Sequence, residues 1–163
     1  MTLGQMFLEE LEAEAPASRK CVERVPESLY AYKPHEKSMI MGYLTLIVAE
    51  VPKWIQVMAE GGEIDFATWT HFEAKDTAAM VAYFDANMAA ARKALQNVSD
   101  ADMAIPFELK NKGQVLMSMP RKDFIGSTIN HLVHHRAQLT VYLRLNDIKV
   151  PSIYGPSADE ASF

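Results

Sequence analysis

The chain has 163 residues, 49% of them apolar and 23% charged, which suits one soluble domain with a buried core. The 16 basic and 21 acidic residues leave a net charge of −5, with no basic run, which argues against nucleic acid as a partner. The lone cysteine, Cys21, excludes an internal disulfide, and no stretch approaches the ~18 uninterrupted apolar residues of a membrane span. The acidic opening, MTLGQMFLEELEAEAP, has no signal-peptide pattern, so the expected compartment is the cytoplasm.

Spacing predicts a first helix over residues 3–25. Leu8, Leu11, Ala15, Val22 and Val25 share one face, while Glu9, Glu10, Glu12 and Glu14 take the wet side. Pro16 should kink or break it. Cys21 reads as a small buried hydrophobe. PESLYAYKPHEK is a loop, and Ser38 is placed to cap a second helix over residues 39–60. That helix is strongly apolar, through Ile40, Leu44, Ile47, Val48, Val51, Ile55 and Met58. Pro52 should bend it, and GGEID ends it.

Asp76 can cap a third helix running to residue 97, with Met80, Tyr83, Phe84, Met88, Ala91 and Leu95 on its inner face. Residues 102–120 read as a short hairpin about Asn111-Lys112-Gly113. Pro120 then opens a fourth helix over residues 121–145, whose buried stripe is Ile125, Ile129, Leu132, Leu139 and Leu143. Pro151, Gly155 and Pro156 mark the rest as an extended or looped tail. No repeat or second domain is evident, so residues 1–163 read as a single all-α domain, a four-helix bundle with a hairpin insert before the last helix.

The fourth helix carries a polar stripe of Thr128, His131, His135, Gln138 and Tyr142 beside the apolar one. His131 and His135, four residues apart, lie one turn apart on one side, where both imidazoles can reach a common ion at ~2.0–2.1 Å. Two ligands are half of an ordinary tetrahedral set. The alternative is that they face solvent or bond to neighbours. His134 points elsewhere and reads as structural or surface. The carboxylate-bridged di-iron bundle needs a Glu-x2-His on each of two helices, which the sequence lacks.

GQVLMSMPRKDFIGSTINHLVHHRAQLTVYLRLNDIKVPSIYGPSADE, together with LYAYKPHEKSMIMGYLTLIVAEVPKW, resembles the DinB-like family of DinB/YfiT-type metalloenzymes, and the likeness spans nearly the whole chain. The resemblance implies an up-down-down-up four-helix bundle, commonly a homodimer. It implies three histidines holding a divalent ion such as nickel or zinc, two of them at His131 and His135. The third, on the second helix, falls at Ile47, which cannot coordinate. Glu50, one turn on, is the candidate substitute; its plainer role is a solvated residue beside the Pro52 bend. His35 and His71, in predicted loops, can in principle fold over the mouth of the bundle.

Two readings stand side by side. In one the chain is a thiol-transferase-like metal-dependent enzyme with an incomplete site, taking a small molecule or a thiol. In the other it has lost the metal and survives as a binding or oligomerisation bundle, with Ile47, Thr128, Gln138 and Tyr142 lining the cleft.

Overall fold

The computed structural model describes residues 1–161. The described residues are mostly helical, with five α-helices and one three-stranded sheet. In chain order these are α1 (Leu3–Glu23), α2 (Met41–Glu60), β1 (Ile64–Asp65), α3 (Thr77–Asn97), α4 (Asp100–Met103), β2 (Pro106–Asn111), β3 (Gln114–Pro120) and α5 (Arg121–Leu145). Both α1 and α2 pack chiefly against α3 and α5. The core between them is built from the predicted stripes. Leu11, Leu44, Ile55, Leu95, Ile125, Ile129, Leu132 and Leu139 are all fully buried, each such side chain stabilising by about 1.5–3 kcal/mol.

Four local expectations need correction. α1 runs through Pro16 without a break, held at its start by a Thr2–Gln5 capping box. Glu14 is not on the wet side, because it pairs with the buried Arg136 of α5. Ser38 does not cap α2: the N-cap residue is Ile40, without a side-chain bond. The loop carbonyls of Tyr32 and Tyr30 instead accept from the Met41 and Gly42 amides, at 2.7 and 2.9 Å, so the helix start needs no side-chain acceptor. The fourth is an additional strand, β1, which pairs in parallel with β2 and adds a sheet to the expected all-α fold.

Other signals act as read. Asp76 Oδ1 accepts from the Ala79 amide at 2.7 Å, Gly61 ends α2 in the left-handed region at φ 73°, and the β2–β3 hairpin turns at Lys112-Gly113. Both turn residues have positive φ, 52° and 75°, as a type I′ turn requires. Asp65 in β1 clasps that turn, accepting from the Lys112 and Gly113 amides at 2.9 and 2.6 Å. These backbone bonds hold its carboxyl below the usual range, the Gly113 bond most of all. The hairpin is thereby fixed against the end of α2, which positions one wall of the cavity described next. No helix among the described residues is long and apolar enough to cross a membrane.

Candidate functional site: a histidine pair beside an aromatic cavity

On α2, Tyr43, Ile47, Glu50, Trp54 and Met58 recur every three or four residues and share one face. On α5, Phe124 and His131 are two turns apart on the opposing face. The segment between β1 and α3 folds back over the gap with Phe66, Trp69 and His71, and β2 adds Leu109. Tyr43, Trp54, Met58, Phe66, Trp69, His71, Phe124 and His131 thus line most of a cavity of about 220 Å³. Both tryptophans of the chain are in its wall.

The structure brings His131 and His135 together, with their Nε2 atoms 2.6 Å apart and ring centroids 4.4 Å apart. Gln138 Oε1 accepts from His135 Nδ1 at 2.8 Å, which assigns the protons along the row. His135 Nδ1 carries a hydrogen and its Nε2 accepts; His131 Nε2 therefore donates, and His131 Nδ1 keeps a lone pair. Trp54 lies against the His131 ring at 5.6 Å between centroids.

Both imidazoles are held below their ordinary pKa, by burial above all, with the neighbouring histidines adding to it and Gln138 opposing it at His135. The folded state then binds fewer protons than the unfolded one. The pair's contribution is present above about pH 6.5 and is lost as pH falls below that, toward the folded pKa values. The urea midpoint should therefore drop on acidification through that window. The drop should be smaller in a His131→Gln/His135→Gln double variant; an equal drop would contradict this account.

The other predicted residues lie elsewhere. Ile47 is 6% exposed and belongs to the apolar core. Glu50 is not solvated: it is fully buried, and Trp69 Nε1, His71 Nδ1 and Tyr83 Oη donate to its carboxylate at 3.2, 2.6 and 2.9 Å. The Tyr83 hydroxyl is pushed up, first by burial and then by the Glu50 charge, so it remains a donor. Thr128 donates to the Met58 sulfur at 3.7 Å and Tyr142 to the Met39 carbonyl at 3.1 Å. Thr128, Tyr142, Gln138 and Ile47 are not among the residues that line this cavity. His35 is in an exposed loop, its Nδ1 accepting from the Lys37 amide at 3.2 Å. Cys21 is buried as expected, and burial pushes its thiol up to about 11.

The implied three-ligand metal centre can be tested against these donors. His131 and His135 converge as two ligands would, and Gln138 fixes His135 by its second nitrogen, a usual support for a metal-bound histidine. The third place does not fit. Ile47 has no donor atom, and the Glu50 carboxylate is committed to three other partners. Among the described residues no cluster of three or more His, Cys, Asp or Glu side chains is arranged to hold an ion.

Sequence reasoning missed the cavity and the Glu50 network. The α2 wall was detectable, since Tyr43 and Trp54 are three turns apart on one face. The loop wall from Phe66 to His71 has no period, and of its residues only His71 was named, as one able to fold over the mouth of the bundle.

This helical fold, with its His-x3-His pair on the last long helix, belongs to the DinB family, whose sequence model matches residues 1–162. Two solved structures share the fold. One is a DinB-like protein (YjoA) from Bacillus subtilis, 16% identical, with a TM-score of 0.70 over 91% of this chain and 97% of that one. The other is a DinB-like protein from Bacillus cereus ATCC 10987, 20% identical, with a TM-score of 0.68 over 91% and 95% of the two chains. A curated relative, the uncharacterized protein YrdA of Bacillus subtilis, is 43% identical over 42 residues, 26% of this chain and 25% of its own length.

Proposed function

We propose that this DinB-family domain binds a small aromatic compound in the cavity between α2, α5 and the β1–α3 segment, without a resident metal ion. The observation that carries this reading is the cavity itself. It is about 220 Å³, walled by Tyr43, Trp54, Phe66, Trp69 and Phe124, with His71 and His131 as its polar points. Mostly apolar walls with few polar groups are the usual make-up of a small-molecule site. Because both tryptophans line it, tryptophan fluorescence reports on the cavity. Nitrobenzene should quench it saturably, and purely linear, collisional quenching would overturn the reading.

A second reading is supported by the convergence of the two Nε2 atoms. In it His131 and His135 hold a nickel or zinc ion weakly, and a small molecule or a thiol takes up the remaining positions, as in a thiol-transferase-like enzyme. Two-histidine sites bind first-row ions weakly. Tag-free wild-type protein should carry far less than one ion per chain. Ile47→His, which restores the implied third ligand, should raise that toward one, read by elemental analysis of the purified protein. Stoichiometric metal in the wild type would favour the second reading. A homodimer and a cytoplasmic location belong to both. The exposed Val115, Leu116 and Met117 of the edge strand β3 support the dimer, and light scattering on the same preparations tests it.

A further inference from the structure

The cavity wall holds a polar element that the histidine pair does not use. His71 lines the cavity, its side chain is 40% exposed, and its Nδ1 is 2.6 Å from the buried Glu50 carboxylate. The roles in this contact follow from the partners. A carboxylate with three donors aimed at it accepts only. The indole of Trp69 can only donate, and Tyr83 keeps its proton. His71 Nδ1 therefore carries a hydrogen, and in the neutral ring the lone pair is on Nε2. Nε2 has no hydrogen-bond partner among the described residues. A fixed tautomer, with a buried anion behind it, is the arrangement that makes an imidazole a proton acceptor.

We propose that His71, backed by Glu50, accepts the proton of a weakly acidic aromatic hydroxyl compound, a phenol, which the cavity holds as its phenolate. This rests on the small-molecule reading above and names its ligand class. The ligand's O–H bond breaks, the proton forms a bond to Nε2, and the electron pair stays on the phenolate oxygen. Before the transfer Glu50 is the only charge of the three groups. After it, the imidazolium stands between two anions, so the net charge is unchanged and no co-reactant is needed. The other groups around His71 suit this. The Tyr43 ring meets it edge-on at 5.7 Å, Lys53 adds a positive charge 4.7 Å from the centre of the Trp69 ring, and His131 stands elsewhere in the wall. A cavity this small, against the ~300–1,000 Å³ of larger ligand sites, selects a single substituted ring.

The probe is p-nitrophenol, whose phenolate absorbs in the visible. Bound to the full chain at the probe's own pKa, where an ordinary imidazole is mostly neutral, it should be roughly nine tenths or more ionised, against about one half in free solution. Tryptophan quenching reports occupancy separately. His71→Asn can still donate to Glu50 but accepts no proton, so it should bind the probe and lose the gain in the visible band. Quenching without added ionisation in the wild type overturns the proton transfer while leaving the cavity reading intact. A gain that survives His71→Asn but not His131→Asn overturns it too, by assigning the acceptor to the other wall. No saturable quenching by either probe overturns the cavity reading, and this inference with it. His71 is in a half-exposed loop, and a thermal melt of each variant confirms that it is folded.

Discussion

Replacing Glu50 by alanine is expected to lower stability by about 3 kcal/mol, a shift in melting temperature of roughly 6–12 °C for a chain of this size. The reason is the set of donors left behind rather than the lost side chain. Trp69, His71 and Tyr83 all aim hydrogens at this one carboxylate, which is itself fully buried. Each buried donor left without a partner costs about 1–3 kcal/mol, and those nearest solvent recover part of that by meeting water. Glu50→Gln keeps the shape and one acceptor oxygen, so its cost should be smaller, about 1 kcal/mol. Near-ultraviolet circular dichroism should show Trp69 losing its fixed setting in the alanine variant only. If Glu50→Ala melted within a degree of wild type, the carboxylate would not be what holds the 66–72 segment over the cavity.

Arg136→Ala is expected to cost about 3–5 kcal/mol, because it strands a carboxylate in a nearly closed site. Arg136 is 1% exposed. Its Nη1 pairs with Glu14 of α1, and its Nη2 donates to the Tyr154 hydroxyl at 2.8 Å. Tyr154 Oη in turn donates to Glu14, with both carboxylate oxygens at 2.9 Å. One buried cation thus ties together α1, α5 and the chain after α5. Removing both charges in a Glu14→Leu/Arg136→Met double variant should restore most of the loss, since a buried pair gains little over apolar residues of similar volume. Urea unfolding of the two single variants and the double variant checks this. A double variant as unstable as Arg136→Ala would mean that the loss comes from packing and not from the stranded charge.

Much of the fold was legible in one dimension. The apolar stripes from Leu44 to Met58 and from Ile125 to Leu143 predicted α2 and α5, because burial on one face repeats every 3.6 residues. Asp76, Gly61 and Lys112-Gly113 marked a start, a stop and a turn through their own local chemistry. Ser38 misled because a cap can be supplied from elsewhere, here by the carbonyls of Tyr30 and Tyr32. β1 has only two residues, too few for any period to show, and exists because β2 is there to pair with it.

The same contrast divides the site. The sequence by itself determined that His131 and His135 share a side of one helix, since four residues make one turn, and that Ile47 cannot ligate. It also held an unused signal: Glu50 and Arg136 fall within apolar stripes, where a charge is tolerable only if it is paired. Which partners they find was decided by tertiary structure alone. Glu50 meets Trp69, His71 and Tyr83 across 19 to 33 residues of chain, and Arg136 meets Glu14 across 122. Helical spacing relates a residue to its neighbours within a few turns. Only the packing of α1, α3 and the β1–α3 segment determines what lies opposite.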